Sequence, residues 1–343
     1  MKTNMRMDTA LPDNSEHIEI NESSYASDDD IAQAVRILES GGLAAFPTET
    51  VYGLGADADN PKAIKLLYET KGRPADHPSI VHLHSVEQLP LWASLIPEDA
   101  MRLAKHFWPG PMTLILPKKP EVSAAVTGGQ NSVGIRIPSH PVAIKLLKKF
   151  GRGIAAPSAN RFGRISPTTA QHVKDDFGAD VPIVLDGGPC QVGVESTIID
   201  FASDESEPRI LRPGMLTAEI ISDYLKKPVK LGEGVKAPGT LKKHYSPRTS
   251  SSLIAYEELT AAARNHNCAV LSRHACPIQN NNSSENQCLW IEMPDNPEDY
   301  ARRIYSWLRY LDTKRLSAIY IEELPDTPEW TAVRDRLTRA TAK

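Results

Sequence analysis

The sequence predicts an α/β protein with a large domain followed by a smaller α/β domain of Rossmann-like order. The chain has 343 residues, which is more than one hydrophobic core usually serves. Short apolar runs alternate with amphipathic helical patterns through most of its length, as is typical of α/β sheets. Residues 228–252 are rich in Lys, Gly, Pro and Ser and have no periodicity, which indicates a linker between the two domains.

The elements of the large domain, residues 26–227, follow from periodicity and from start and stop signals. Ser27 and Asp28 are candidate N-caps for a helix with apolar residues at i, i+3, i+4 and i+7 from Ile31, which ends at Gly41. Asn60 caps a second helix, which ends at Gly72. Strands are predicted at 43–46, 51–56, 80–83, 112–116, 133–137, 154–156, 183–185 and 197–201, and further helices begin at Pro97, Pro141, Ser166 and Thr217.

The two ends of the chain are read in the same way. Residues 1–25 are polar and predict a loose tail, with one edge strand at 17–20. In the smaller domain, 253–343, strands are predicted at 253–256, 269–271, 289–291 and 318–321, with a polar loop at 279–287 and a helix from Asn296 onward. Its role does not follow from the sequence.

Composition excludes several classes of protein. The formal net charge of −4 gives no global basic field for nonspecific nucleic-acid binding. No apolar run approaches the ~18 residues of a membrane span, and the N-terminus has no signal-peptide pattern. The four cysteines, Cys190, Cys268, Cys276 and Cys288, lack CxxC spacing, so reduced thiols and a cytoplasmic location are predicted rather than disulfides or a zinc site.

Polar residues that follow apolar strands are the candidates for chemistry, because ligand sites in α/β proteins collect outside strand ends. Motifs of the P-loop, dinucleotide-binding and hydrolase-elbow types do not occur. Arg73, Arg136 and Arg212 come from separate loops and suit carboxylate or phosphate oxygens. Hydroxyls and Asn160 would complete an anion or metal shell.

Each candidate has a structural alternative. Lys71, Gly72 and Arg73 also fit a solvated helix C-terminus, whose dipole favours cations. His82 and His84 share a strand face as a metal-binding pair would, but no third ligand has a telling spacing, so no metal site is predicted. Residues 157–160 also fit an ordinary capping turn. Arg136 lies in an apolar strand and needs a partner, because an unpaired buried charge is costly.

Taken together, these segments resemble the YrdC family in its two-domain form. The matching pieces are collinear: FPTETVYGLG (46–55), KGRP (71–74), HPSIVHL (77–83), WPGPMTLIL (108–116), SVGIRIPSHP (132–141), APSAN (156–160), SPT (166–168), GVESTIID (193–200) and LRPG (211–214). The linker segment APGTLKKHYSPRT (237–249) is similar to the joining segment of that form.

The resemblance implies a large twisted open sheet and a cytoplasmic nucleotidyltransferase. Such an enzyme makes L-threonylcarbamoyladenylate from L-threonine, bicarbonate or CO2, and ATP with Mg2+, and releases pyrophosphate. The product would pass to the tRNA threonylcarbamoyl transferase machinery, which forms N6-threonylcarbamoyladenosine in tRNA.

The resemblance also implies roles for individual residues. L-Threonine would be held by Thr50, His82, Arg136 and Ser196, with backbone near Ala156. ATP would be surrounded by Arg73, His77, Ser132, Ser158, Ser166, Arg212 and, from the linker, Tyr245. Lys71, Arg73 and Asn160 would lie near the phosphates as catalytic residues. The chain departs from the family at His77 and Ser79, where Asn and Leu are common, and at Thr240, where Met is usual.

Two other classes of function and one open question stand beside this interpretation. An RNA-binding module would need aromatic residues beside the cations, and the motif loops are poor in them, although weak RNA binding stays open. A carbamoyltransferase use of the fold would bring zinc-finger or acylphosphatase-like modules, for which no cysteine pattern exists. Residues 242–245 of the linker are a candidate lid over the ATP site.

Overall fold

The computed structural model describes residues 25–204, 207–265, 267–277 and 288–342. The helices are α1 (Asp28–Glu39), α2 (Pro61–Lys71), α3 (Leu89–Trp92), α4 (Glu98–Phe107), α5 (Ala124–Thr127), α6 (Pro141–Phe150), α7 (Ala170–Phe177), α8 (Ala218–Leu225), α9 (Tyr256–Ala262), α10 (Pro297–Thr313) and α11 (Thr331–Ala340). The strands are β1 (Ala44–Phe46), β2 (Gly53–Asp57), β3 (Val81–His82), β4 (Met112–Pro117), β5 (Ser132–Arg136), β6 (Ile154–Ala155), β7 (Thr197–Asp200), β8 (Arg209–Arg212), β9 (Lys230–Leu231), β10 (Ser251–Ile254), β11 (Cys268–Ser272), β12 (Leu289–Glu292) and β13 (Ala318–Glu322).

The first nine strands form one mixed sheet in the order β1-β2-β6-β3-β5-β4-β7-β8-β9. Strands β2 and β3 both run antiparallel to β6, which lies between them, so they are parallel to each other and α2 forms the predicted crossover. Strand β3 pairs in parallel with β5, and His82 is the register partner of Arg136. This register places two predicted site residues on the same face of adjacent strands.

Local signals set the ends of the helices that deliver site residues. Ser27 is the N-cap of α1, as the sequence predicts, and it also forms a capping box with Asp30. Asn60 caps α2 with its side chain, and Gly72 ends that helix in the left-handed conformation at φ +64°. The turn at Gly72 sends the chain away from the helix axis, so that Arg73 begins a loop rather than another helical turn.

Apolar side chains cover the sheet from separate clusters. Helices α1 and α6 pack around Phe46 and Ile154 in one cluster. A larger cluster joins α2, α4, α7 and α8 to Leu54, Leu114 and Ile135 of the strands. Burial of these apolar surfaces provides the main stabilisation of the sheet on which the site is built.

The last four strands form a second, all-parallel sheet in the order β10-β13-β11-β12. Its core contains the apolar face predicted for the helix from Asn296 onward, including Tyr300, Ile304 and Leu308 of α10. The same cluster includes Val51 and Val194 of the first sheet's loops. The two sheets with their helices confirm the predicted α/β class.

Several predicted elements differ in the structure. The helix predicted at Ser166 begins at Ala170, because Thr169 caps it and the Pro167 carbonyl accepts a hydrogen bond from Tyr52 N at 2.9 Å. The predicted strand at 183–185 makes an isolated bridge through Val184. Strand β9 lies inside the predicted linker. The edge strand at 17–20 and the loop at 279–287 lie outside the described residues. In the described part of the chain, no helix is long and apolar enough to span a bilayer.

Candidate active site

A cleft opens beside the first sheet and is closed on one side by the linker. It is lined by Thr48, Thr50, Val51, Tyr52, Gly53, Arg73, Ile80, His82, Arg136, Ala156, Pro157, Ser158, Glu195, Arg212, Pro238, Gly239, His244 and Tyr245. Eight of the predicted site residues are among them: Thr50, Arg73, His82, Arg136, Ala156, Ser158, Arg212 and Tyr245. The cleft therefore brings together residues that the family resemblance assigns to L-threonine and residues that it assigns to ATP.

Arg136, at the end of β5, has the buried partner that its place in an apolar strand requires. Its Nη2 lies 2.7 Å from Glu49 Oε1, and its Nη1 donates to Thr50 Oγ1 at 2.8 Å. The other oxygen of Glu49 accepts a hydrogen bond from Ser139 N at 3.1 Å. Sequence reasoning missed Glu49, although its place in the Thr-Glu-Thr turn was a signal. The pair fixes the guanidinium beside the Thr50 hydroxyl.

The turn that follows β1 is held by its own hydroxyl groups. Thr48 Oγ1 lies 2.8 Å from Thr50 Oγ1 and donates to the Val51 carbonyl at 2.6 Å. Both threonines are buried. Because these short-range bonds fix the turn, Thr50 is presented to the cleft in a single orientation.

His82 is a neutral hydrogen-bonding group rather than a cation. Burial, together with the positive charge of Arg136, lowers the pKa of His82 to about 3. Its Nδ1 is buried without a hydrogen-bond partner. Among the residues that the structure describes, no three His, Cys, Asp or Glu side chains converge as a metal site would require.

Arg73 and Arg212 supply positive charge to the cleft. Arg73 donates to the Pro78 carbonyl at 2.6 Å, and its guanidinium lies 6.0 Å from the ring centres of Tyr68 and Phe162. Arg212 donates to Ser196 O at 3.1 Å, to Ser196 Oγ at 3.0 Å and to Pro238 O at 2.9 Å. Burial lowers the pKa of both groups, but a guanidinium stays charged in a protein. These bonds all go to neutral oxygens, so the charge remains available to an anion.

Lys71 lies behind the cleft wall and is only 2% exposed, so it is not a solvated helix end. Its Nζ donates to the carbonyls of Ser158 and Asn160, each at 2.6 Å. Burial, and then the charge of Arg73, lower the pKa of Lys71 well below its usual value. The lysine therefore fixes the loop that carries Ser158.

Asn160 is also tied into that loop. Its Nδ2 donates to the Arg161 and Arg164 carbonyls at 2.8 and 2.9 Å, which fixes the orientation of the amide because both partners are acceptors. Its Oδ1 is buried and has no hydrogen-bond partner in the described structure. Neither Ser158 nor Asn160 caps a helix, since α7 has Thr169 as its N-cap.

Four of the remaining predicted residues lie outside the cleft lining. Ser196 is fully buried against Arg212 and Thr113 Oγ1, the latter at 2.8 Å. Ser132 lines a smaller cleft, which shares Ile80 and Pro238 with the larger one. His77 packs edge-on against Phe162 at 5.3 Å between ring centres. Ser166 donates to Glu195 Oε1 at 2.5 Å.

The linker places two aromatic residues in the cleft wall. Tyr245 adopts the left-handed conformation at φ +59° and is 1% exposed. Its ring stacks on Tyr305 at 5.8 Å, and its Oη has no hydrogen-bond partner in the described structure. Burial, followed by the charge of Glu195, raises the pKa of Tyr245 to about 12, while burial lowers that of His244 to about 3.

Glu195 is the second buried carboxylate that sequence reasoning missed. Its Oε2 accepts from Tyr305 Oη at 3.0 Å and from Arg336 Nε at 2.7 Å. Burial alone would raise the pKa of Glu195, but Arg336 and Arg212 bring it down to about 2. The carboxylate in the GVESTIID segment was visible, but its partners lie more than 100 residues away.

Comparison with known proteins gives matches along almost the whole chain. Residues 36–214 match the family model Sua5_yciO_yrdC, described as telomere recombination, and residues 216–342 match the model described as threonylcarbamoyl-AMP synthase, C-terminal domain. The threonylcarbamoyl-AMP synthase of Pyrococcus abyssi is 39% identical over 90% of this chain and 92% of its own length. That of Bacillus subtilis is 37% identical over 94% of this chain and 96% of its own.

A solved structure has the same arrangement over nearly all of the chain. The crystal structure of P. abyssi Sua5 complexed with L-threonine superposes with a TM-score of 0.80 at 38% sequence identity. The match covers 91% of this chain and 94% of that one.

Proposed function

Since this chain belongs to the Sua5, YciO and YrdC family and is an enzyme that forms threonylcarbamoyl-AMP by nucleotidyl transfer, we propose that this reaction takes place in the cleft lined by Thr50, Arg136 and Arg212. Its substrates are L-threonine, bicarbonate or CO2, and ATP. The observation that carries the proposal is that the three arginines of the cleft differ in their partners. Arg136 is paired with Glu49, whereas Arg73 and Arg212 bond only neutral oxygens in the contacts described above.

L-Threonine binds on the side of the cleft formed by β3, β5 and the turn after β1. Arg136 takes the carboxylate, and Thr50 and the neutral His82 offer hydrogen bonds. Backbone at Ala156 lies on the same wall. Ser196 acts through its bonds to Arg212. In support, the structurally similar P. abyssi protein has been crystallised with L-threonine.

ATP binds on the side formed by Arg73, Arg212, Ser158 and Tyr245. The smaller cleft at Ser132 shares the lining residues Ile80 and Pro238 with this side, and we expect the nucleotide to occupy this region of the wall. His77 lies near Arg73, whose charge contributes to lowering its pKa. Ser166 acts through Glu195, and Lys71 and Asn160 act by fixing the Ser158 loop.

The chemistry needs positioning and charge stabilisation rather than a covalent nucleophile. The threonine amine adds to CO2 and loses a proton, which gives a carbamate. A carbamate oxygen then bonds to the α-phosphorus of ATP while the bond to the β-phosphate oxygen breaks, and pyrophosphate leaves. Arg73 and Arg212 stabilise the negative charge that develops on the phosphate oxygens, and the linker excludes water from the product.

Mg2+ is proposed as the cation that accompanies ATP, and the site fits it only in part. Glu49 and Glu195 are already bound to Arg136 and Arg336. The unpartnered Asn160 Oδ1 is a candidate protein ligand, since Mg2+ prefers oxygen. When bound with the nucleotide, the cation would neutralise phosphate charge alongside Arg73.

The domain assignment and the fate of the product complete the proposal. Residues 26–227 form the catalytic domain, 228–252 the linker and 253–343 the second domain. The product passes in the cytoplasm to the tRNA threonylcarbamoyl transferase machinery. Weak direct binding of RNA remains a prediction of the sequence.

Pyrophosphate release by the full chain tests the proposed function. The assay contains ATP, Mg2+ and bicarbonate, with or without L-threonine, and the adenylate is detected by mass. We expect release to depend on threonine and on bicarbonate. Release that is the same without threonine would contradict the proposal.

A further inference from the structure

We propose that the second domain is part of the active site, because Arg336 and Tyr305 position Glu195 and Arg336 cancels its charge, so that the cleft accepts the phosphates of the nucleotide. This inference rests on the proposed function and assigns a role to the second domain. Both residues are positioning residues, since they act through Glu195 and not through contact with substrate.

The contacts run from two helices of the second domain to one carboxylate of the first. Arg336, on α11, is completely buried and donates from Nε to Glu195 Oε2 at 2.7 Å and from Nη2 to Glu195 O at 3.3 Å. Tyr305, on α10, donates to the same Oε2 at 3.0 Å. Ser166 donates to the other oxygen at 2.5 Å. Three donors from three segments therefore hold Glu195 in a single place.

Neutralisation of the Glu195 charge by Arg336 matters because of where Glu195 lies. The carboxylate lines the same cleft as Arg73 and Arg212, which carry the positive charge proposed to meet phosphate. An uncompensated carboxylate there would repel a polyanion strongly, since water is largely excluded and screening is weak. Arg336 supplies a positive charge at hydrogen-bond distance, and Asp335, which also contacts Arg336, is itself paired with Arg339. The second domain thereby leaves the net positive charge of Arg73 and Arg212 available.

Helix α11 also holds the linker. Asp335 bonds Arg336 Nη1 at 2.7 Å and Arg339 Nη2 at 2.8 Å. Arg339 in turn donates to the carbonyls of Thr240 and Leu241 at 2.8 and 2.6 Å. About one turn of α11 therefore fixes both the Glu195 carboxylate and the linker segment that leads to His244 and Tyr245.

The second domain also supports Tyr245 of the linker. The Arg336 guanidinium lies 5.3 Å from the centre of the Tyr245 ring, and Tyr305 stacks on that ring. Tyr245 itself lines the cleft. The second domain thus forms a layer directly behind two cleft residues, Glu195 and Tyr245.

A double-mutant cycle on the full chain tests the inference. Arg336→Gln leaves Glu195 without its counter-charge, so we expect the Kd and KM for ATP to rise at least about tenfold, equivalent to ~1.4 kcal/mol, with a smaller change in the KM for threonine. Adding Glu195→Gln to Arg336→Gln removes the repelling charge, and we expect ATP binding to return to within about threefold of wild type. Glu195→Gln alone leaves Arg336 buried without this carboxylate partner, and we expect it to lower thermal stability.

Two further variants separate this role from simple support of the interface. Arg302→Gln removes a cross-domain bond, from Arg302 Nε to Gln191 O at 2.8 Å, that does not involve Glu195, and it should leave the KM for ATP unchanged. Tyr305→Phe removes only the hydroxyl that bonds Glu195, and we expect a rise of about threefold in the Kd for ATP. It supplies the test if Arg336→Gln does not fold.

The inference is overturned if the double variant binds ATP no better than Arg336→Gln, or if Tyr305→Phe binds ATP like wild type. It is also overturned if Arg336→Gln raises the KM of both substrates equally. If wild-type pyrophosphate release does not depend on threonine, only the proposed function is refuted. The role of Arg336 is still measured, because ATP binding is titrated separately for each variant of the cycle.

Discussion

Arg136 illustrates how a buried charge is accommodated in this cleft. The ion pair with Glu49 compensates the cost of burial, and the bond to Thr50 orients the guanidinium. The arginine itself is recognisable from the sequence, because a charged residue interrupts an apolar strand. Its partner is not, since the two are 87 positions apart in the sequence and only the fold brings them together.

Replacing Arg136 with Lys tests this geometry. A lysine keeps the charge but lacks the planar fork that contacts Glu49 and Thr50 at once, so we expect the KM for threonine to rise about tenfold or more and the KM for ATP to change little. Steady-state kinetics with each substrate varied in turn measure the difference. Arg152→Lys, at an exposed arginine that pairs with the buried Asp57, serves as the control. An unchanged KM for threonine would contradict the assignment.

Replacing Arg73 with Ala tests the phosphate side of the cleft. The variant loses a charge that stabilises the developing negative charge on the phosphate oxygens, and we expect turnover to fall on the order of a hundredfold. Pyrophosphate release at saturating substrates measures it, with Arg209→Ala, an exposed arginine of β8, as the control. Near wild-type turnover in Arg73→Ala would refute the assignment.

Two buried histidines and one half-buried histidine predict how the free energy of unfolding depends on pH. The pKa values of His82, His172 and His244 are lowered from 6.5 to about 3, 4 and 3, in each case mainly by burial. The unfolded chain therefore binds protons below about pH 6.5 that the native state does not, and the free energy of unfolding falls as the pH falls from 6.5 toward 4, by up to about 1.4 kcal/mol per pH unit for each histidine.

Urea unfolding between pH 7 and pH 5 measures this dependence. His172→Gln, which changes a histidine that does not line the cleft, should give a shallower slope than wild type. A free energy of unfolding that is flat or rises as the pH falls through this range would contradict the prediction.

Among the elements, the linker places Gly239 where a side chain would disturb the cleft. A Cβ at Gly239 would overlap Tyr245 Oη and lie 3.1 Å from Arg212 Nη1. Gly239→Ala should therefore displace Tyr245 or the linker and lower turnover on the order of tenfold or more. Gly129 has a similar φ, +82° against +78°, but open space around it, so Gly129→Ala carries the same backbone strain alone. Equal turnover of the two variants would refute the role of the linker.

Elements were predictable where local signals decide them. The N-cap signal at Ser27 predicted the start of helix α1, and Asn60, Pro61 and Gly72 predicted the bounds of α2; the structure confirms these predictions. Helix α7 was misplaced because the carbonyl of Pro167 is taken by Tyr52 N, a contact made across the fold. Strand β8 was missed because its sequence, Arg-Ile-Leu-Arg, shows neither clean alternation nor a continuous apolar run.

At the scale of the whole molecule, the two sheets are joined by buried polar contacts rather than by apolar packing alone. Asp176 of α7 pairs with Arg309 of α10 at 2.6 Å, and Arg336 pairs with Glu195 at 2.7 Å. The cations of the cleft could be predicted from residue type and motif. The role of the second domain could not, because the residues that contact Glu195 of the cleft are a tyrosine and an arginine within ordinary helical patterns.

Isotope tracing of the product tests the central claim most directly. The full chain is given ATP, Mg2+, L-threonine and 13C-bicarbonate in degassed buffer, and the adenylate is measured by mass spectrometry. If the carbamate oxygen attacks the α-phosphorus in this cleft, the product is threonylcarbamoyl-AMP and carries the label, one mass unit heavier than with ordinary bicarbonate. An unlabelled threonyl adenylate, formed by direct attack of the threonine carboxylate, would contradict the account.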